Sequence, residues 1–284
     1  MSYKDLQWVC KDGTKTYACI WMPNNPVKIK AVIGLVHGMG EHSGRYGHVA
    51  KMLNEDGYVV IAYDQRGHGR TEGKRGHTPS YEALLEGVET LISESARKYP
   101  ELPFFLYGHS MGGNVALNYL LRRKPQIAGA IVTGPWLKLA FKPPTIQAAI
   151  GRLVEAIYPQ FTSVRPMVAE HLTSDPAMIK LYKNDKLIHG KITARFYFSV
   201  HNAGLWALDH ASELSVPLLL MHASEDAVTS TTASQKFAED AGASCTWRAW
   251  PGFQHEIHNE VKREQVFKVI RDWLNDRLEI VNAQ

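Results

Sequence analysis

Cysteine is scarce. Cys10, Cys19 and Cys245 are the only three in 284 residues, an odd number at no metal-ligand spacing. This excludes a disulfide framework and a cysteine-built zinc site. Cys10 and Cys19 are near enough in sequence to face one another across an early hairpin, yet reduced, structural thiols are the expectation. Long apolar runs are missing too, and none approaches the roughly 20 residues that a membrane-spanning helix needs. The opening MSYKDLQWVCKDG lacks the charged and apolar regions of a signal peptide, which makes the cytosol the expected compartment. Nor is there a strong charge of one sign. Thirty-two Lys and Arg against 28 Asp and Glu leave a net +4, with the basic residues scattered. That argues against a nucleic-acid partner while remaining compatible with brushing an anionic surface. Internal repeats and low-complexity tracts are absent.

What the chain does have is a series of short, nearly continuous apolar runs: 31–37 (AVIGLVH), 58–64 (YVVIAYD), 104–107 (FFLY), 127–133 (IAGAIVT) and 216–222 (VPLLLMH). Strands buried on both faces of a parallel sheet read this way, whereas half-exposed strands alternate. Residues 245–250 (CTWRAW) predict one strand more. Between the runs lie helical patterns. Residues 80–99 carry Leu84, Leu85, Val88, Leu91 and Ile92 at helical spacing and stop at Pro100. Residues 114–123 predict a second helix, and 265–278 a last one with Val266, Val269, Ile270, Trp273 and Leu274 on one face. Such alternation predicts an α/β fold, a doubly wound, mostly parallel sheet with right-handed crossovers, preceded by an antiparallel hairpin over 5–22. The whole of 1–284 reads as one domain. Residues 135–208 break the rhythm with Pro143, Pro144, Pro159, Pro166 and Pro176 and no convincing buried strand, and predict a mainly helical insertion over the sheet.

The stretch Gly108-His109-Ser110-Met111-Gly112 matches G-x-S-x-G and stands between a buried run and a helical pattern, where a nucleophile elbow belongs. A serine hydroxyl is a weak nucleophile without a base and an acid to orient that base. In elbow enzymes these follow in the order acid, then histidine, each after a later strand. Asp226 and His255 fit that order; Glu225 and His258 are the competing acid and base. The Met111 amide supplies one oxyanion donor, and the Met39 amide, in the loop after AVIGLVH, is the candidate for the other. Other motifs fail. Gly38-Met39-Gly40 and Gly67-His68-Gly69 lack the third glycine of a dinucleotide loop, and His255-Glu256-Ile257-His258 is one residue short of H-E-x-x-H, so no metal is expected.

Taken together, His37-Gly38-Met39-Gly40-Glu41-His42-Ser43-Gly44-Arg45-Tyr46, Asp64 with Gly67-His68-Gly69 and Thr71-Glu72-Gly73, the serine motif, Asn184-Asp185-Lys186-Leu187-Ile188, and His255 with His258 resemble the monoacylglycerol lipases of the α/β-hydrolase superfamily, a group overlapping with lysophospholipases. The resemblance covers about residues 10 to 275. It implies an α/β-hydrolase fold of eight strands with a cap at about 135–208 between strands six and seven. It implies cofactor-free hydrolysis of a monoacylglycerol by Ser110, Asp226 and His255, with the Met39 and Met111 amides as oxyanion hole. It also implies that Glu41, Arg45 and His258 organise the polar end that receives glycerol, although Glu41 and Arg45 pairing with each other to hold the loop is an open alternative. The apolar stripe Ile146, Ala149, Ile150, Leu153, Val154 and Ile157 has two readings: a face packed on the core, which is favoured, or a surface that dips into membranes. A lysophospholipase or short-chain carboxylesterase on the same scaffold is the nearest rival. A non-catalytic binding protein is the remote one, since no triad member is missing.

Overall fold

The computed structural model describes residues 1–24, 28–141 and 145–283, with the side chains of 145–148 outside the description. The chain opens with a hairpin, β1 (Ser2–Val9) and β2 (Lys15–Met22), then β3 (Ala31–Val36), α1 (Gly47–Glu55), β4 (Tyr58–Tyr63), α2 (Glu82–Lys98), β5 (Phe104–His109), α3 (Met111–Arg123) and β6 (Gly129–Thr133). An insertion follows, with α4 (Thr145–Ile157), β7 (Thr162–Val164), α5 (Pro176–Asn184), β8 (Lys191–Thr193) and α6 (Ala194–Asp209). The chain closes with β9 (Leu218–Ala223), α7 (Thr231–Ala241), β10 (Cys245–Trp250) and α8 (Arg263–Asn282).

Eight strands form one sheet in the order β1-β2-β4-β3-β5-β6-β9-β10. The pairs β1–β2 and β2–β4 are antiparallel, and every later pair is parallel. The continuous apolar runs have the expected cause, because the two faces of each central strand meet different cores. Val32, Val36, Val59, Ile61, Leu106, Leu218 and Leu220 face one core, together with side chains of α2, α3, α6 and α7. Ile33, Leu35, Val60, Ala62, Tyr107, Leu219 and Met221 face the other, with α1 and α8. Winding runs from β3 outward to β4 and, in the other direction, through β5 to β6. The C-terminal ends of β3 and β5 therefore meet at the switch point, where open α/β sheets leave a crevice.

The three cysteines are free thiols, as expected, and Cys19 lies across the hairpin from Asp5 rather than Cys10. Other details differ from the sequence expectation. The insertion contains a small antiparallel ribbon, β7–β8, too short to give an apolar run. Its last helix, α6, buries Phe196, Val200 and Ala207 in the core and packs on α3, so it belongs to the body of the fold. The apolar stripe of α4 does not pack inward as favoured. Ile150, Leu153 and Ile157 are 57%, 60% and 75% exposed, while Val154 is half-buried. Pro143, Pro144 and the Ile146 side chain lie outside the described residues. No described helix is long and apolar enough to cross a membrane.

Candidate active site

β5 ends at His109, and α3 begins at Met111 with no loop between them, so Ser110 alone makes the turn at φ 53°, ψ −117°. That φ lies where L-residues are unfavourable and glycine is at ease. Gly112 makes the tightness affordable: a Cβ there would stand 2.1 Å from the Val36 carbonyl oxygen. The result projects the Ser110 side chain from the C-terminal edge of the sheet, beside the β3 loop.

Ser110, His255 and Asp226, distant in sequence, come together. His255 Nε2 lies 2.9 Å from Ser110 Oγ, and His255 Nδ1 lies 2.6 Å from Asp226 Oδ2. A carboxylate only accepts, so Nδ1 carries the hydrogen and Nε2 is left to accept from the serine hydroxyl. Asp226 Oδ1 accepts the backbone N–H groups of Val228 (2.7 Å) and Thr229 (2.9 Å), which pins the carboxylate from its other side. Burial opposes the charged form of both groups. It is outweighed: the His255 ring holds Asp226 well below the carboxylate range, and Asp226 raises the ring above its ordinary 6.5. Glu225 points elsewhere and meets the Ser224 hydroxyl.

Among the described residues, neither the Met39 nor the Met111 N–H meets a protein acceptor, so both are free to receive an anion. The loop bearing Met39 is braced by Glu41, whose Oε1 accepts from Gly38 N–H (2.6 Å) and the Tyr46 hydroxyl (2.7 Å). Its Oε2 accepts from Arg45 Nη1 at 2.5 Å, and Arg45 also grips Glu256 through two 2.7 Å bonds. Thus Glu41 and Arg45 do pair, and Glu256 is a third member that the sequence reading missed. Arg45 lies over the Tyr182 ring at 5.1 Å. His258 is placed differently. It is buried behind the site, stacked on Tyr46 at 5.1 Å and edge-on to His109 at 4.8 Å, and of these three His109 alone lines the chamber. Burial pushes the rings of His258 and His109 down, the latter to about 3.

Ser110 opens into a chamber of about 180 Å³ with Glu41, Arg45 and Glu256 in its wall. A second chamber of about 470 Å³, lined by Ile150, Val154, Phe161 and Phe198, shares Leu139, Phe141, Arg165, Ile192 and Tyr197 with the first. The two chambers thus share a wall, one holding the serine and a charged end, the other lying apolar beneath α4. Another missed residue is His222 on β9, whose Nε2 lies 2.9 Å from Asp226 Oδ2.

Residues 27–262 match the family described as serine aminopeptidase, S33. The chain is 38% identical over 262 residues to an uncharacterised abhydrolase domain-containing protein of Dictyostelium discoideum, covering 91% of this chain but only 27% of that much longer protein. It is 30% identical to human monoglyceride lipase, covering 97% of this chain and 92% of the relative. It superposes on the crystal structure of Paleococcus ferrophilus monoacylglycerol lipase with a TM-score of 0.83 at 30% identity, covering 92% of this chain and 99% of that one. With the elbow, sheet order and family match in agreement, the chain belongs to the serine aminopeptidase S33 family of α/β-hydrolases, as a monoacylglycerol-lipase-like carboxylic-ester hydrolase.

Proposed function

We propose that the protein hydrolyses monoacylglycerols to glycerol and a free fatty acid, with Ser110 as nucleophile, His255 as general base and Asp226 as the acid that orients it. The observation that carries this reading is that Ser110 opens into a chamber with Glu41, Arg45 and Glu256 in its wall, which adjoins a larger apolar chamber beneath α4. The relatives named monoacylglycerol and monoglyceride lipases support the same substrate class.

His255 Nε2 takes the proton as Ser110 Oγ attacks the ester carbonyl, and the developing oxyanion is received by the Met39 and Met111 amides. The protonated ring then delivers its proton to the leaving glycerol oxygen. Water, deprotonated by the same nitrogen, releases the fatty acid from the acyl-enzyme. Glu41, Arg45 and Glu256 form the wall met by glycerol. His258 acts at one remove, by backing His109 and Tyr46. Arg45 occupies both carboxylates, which leaves neither free to hold a substrate ammonium group, as an aminopeptidase would require. We assign 1–284 to one hydrolase domain, with the cap running from 135 to α6. The exposed face of α4 is the surface by which that cap touches a lipid layer, without spanning it.

Replacing Ser110 with Ala should abolish hydrolysis of monoolein and labelling by a fluorophosphonate probe while the protein stays folded. Near-wild-type turnover in that variant would sink the mechanism. One observation favours a second reading: Arg165 lines both chambers and suits a lysophospholipid phosphate. A side-by-side assay of monoolein, lysophosphatidylcholine and p-nitrophenyl butyrate separates the readings. A decisive preference for lysophosphatidylcholine would overturn the first.

A further inference from the structure

The hydrogen-bonded line through Ser110 does not end at Asp226. On the far side of the carboxylate it continues through His222 Nε2, 2.9 Å from Asp226 Oδ2, to Ser234 Oγ, 2.8 Å from His222 Nδ1. The whole line reads Ser234, His222, Asp226, His255, Ser110, close to mirror-symmetric about one oxygen. His222 is wholly buried at the end of β9, and Ser234 is wholly buried in the first turn of α7.

The chemistry of the line leaves little freedom. Because Asp226 can only accept, His222 Nε2 carries a hydrogen directed at Oδ2. Ser234 faces Nδ1 and has one proton to give, so it selects that tautomer. Oδ2 therefore receives two imidazole N–H groups, with Thr229 Oγ1 also at 2.8 Å. Oδ1 is held only by main-chain amides. A carboxylate gripped by amides at one oxygen can still pivot about that oxygen. The His222 bond, together with the Thr229 hydroxyl, restrains the pivot and aims Oδ2 at His255 Nδ1.

We propose that His222, with Ser234 setting its tautomer, is a positioning residue for the reaction: it holds the Asp226 carboxylate in the orientation that receives His255 Nδ1–H. This rests on the reading of Ser110, Asp226 and His255 as the reacting set. A histidine that only filled the core would affect folding and leave turnover per folded molecule untouched.

The test compares His222→Met, which fills the space without a donor, with His222→Gln, whose amide nitrogen can donate from nearly the same place, and with Ser234→Ala. Losing one hydrogen bond to a charged group predicts a roughly tenfold drop in kcat for the Met variant, with KM unchanged. The Gln variant should recover most of it. Ser234→Ala should lose less than the Met variant, and the double variant should be no worse than Met alone, because both act through one bond. The low-field proton resonance of His255 Nδ1–H should persist in the wild type and the Gln variant and shift in the Met variant. Full kcat in the Met variant, or equal losses in Met and Gln with that resonance unchanged in both, overturns the proposal. If the Met variant does not fold, the Gln and Ser234→Ala variants decide the matter by the same readouts. The resonance needs no substrate, so it tests the proposal even if no ester proves to be turned over, an outcome that would count against the catalytic reading instead.

Discussion

The His189 backbone N–H donates to the Gly40 carbonyl oxygen at 2.9 Å, joining the segment after α5 to the loop that carries the Met39 amide. A second contact lies close by, between His42 Nε2 and Asp185 Oδ2 at 2.7 Å. The insertion is thus stitched to the Met39 loop itself, and N-D-K-L-I and H-G-M-G-E-H are two halves of one joint.

Gly40 is the pivot of that joint. Its φ is +74°, and a Cβ there would lie 2.3 Å from the His189 carbonyl oxygen, which is backbone and cannot swing aside. Gly40→Ala should cost about 1–3 kcal/mol of stability and lower kcat more than it raises KM, because the Met39 amide moves. Urea titration and steady-state kinetics check both, and an unperturbed variant would show that the joint is loose.

On the proposed mechanism His255 should set the pH dependence. Burial disfavours its charged form, but Asp226 outweighs burial, with Glu256 and Glu41 adding to it, and the ring sits above the ordinary 6.5. The pairing therefore stabilises the fold fully below the unfolded-state value and loses its effect as pH rises through the folded one. Activity runs the opposite way, since attack needs an unprotonated Nε2. The kcat/KM for a soluble ester should climb with pH about a midpoint above 6.5. His109, at about 3, does not titrate in that window. Asp226→Asn should move the midpoint down and lower kcat by about four orders of magnitude. A midpoint that stays put in this variant would contradict the assignment.

Arg45 neutralises two carboxylates that are otherwise buried together. Arg45→Met leaves them facing one another and should destabilise the protein by about 3–5 kcal/mol. Arg45→Lys keeps the charge but not the fork that spans both oxygens of Glu256, so its urea midpoint should fall between those of the wild type and the Met variant.

The bare face of α4 makes a separable prediction. Replacing Leu153 and Ile157 with Glu should reduce co-sedimentation with phospholipid vesicles by about tenfold or more, and slow the release of fatty acid from vesicle-borne monoolein. Turnover of p-nitrophenyl butyrate in solution should not change. Equal losses on both substrates would assign the face to cap packing.

The parts of this molecule that were legible in its sequence share a property: their meaning is local. Strands such as AVIGLVH are buried on two faces and therefore read as unbroken apolar runs. The turn at Ser110 carries its glycines on either side, and Asp226 and His255, which the structure brings to it, each follow a strand. Glu256 was hidden because its partner Arg45 lies 211 residues away. His222 was hidden inside the run VPLLLMH, where it passes for the polar end of a strand. The α4 stripe was misjudged for a third reason. Amphipathic spacing shows that a face is apolar, but the same spacing serves protein and lipid neighbours alike.

Ser110 itself has one more consequence. Its backbone stands at a positive φ that glycine tolerates and alanine does not. Elsewhere, trading glycine for alanine usually strengthens a protein; at Ser110 the ranking should invert. Ser110→Gly and Ser110→Ala lose the same hydroxyl and, on the proposed mechanism, should both be inactive, yet the glycine variant should be the more stable by about 1 kcal/mol. The difference in melting temperature between two dead enzymes would thus weigh what the fold gives up in durability to hold its serine at the tip of the turn.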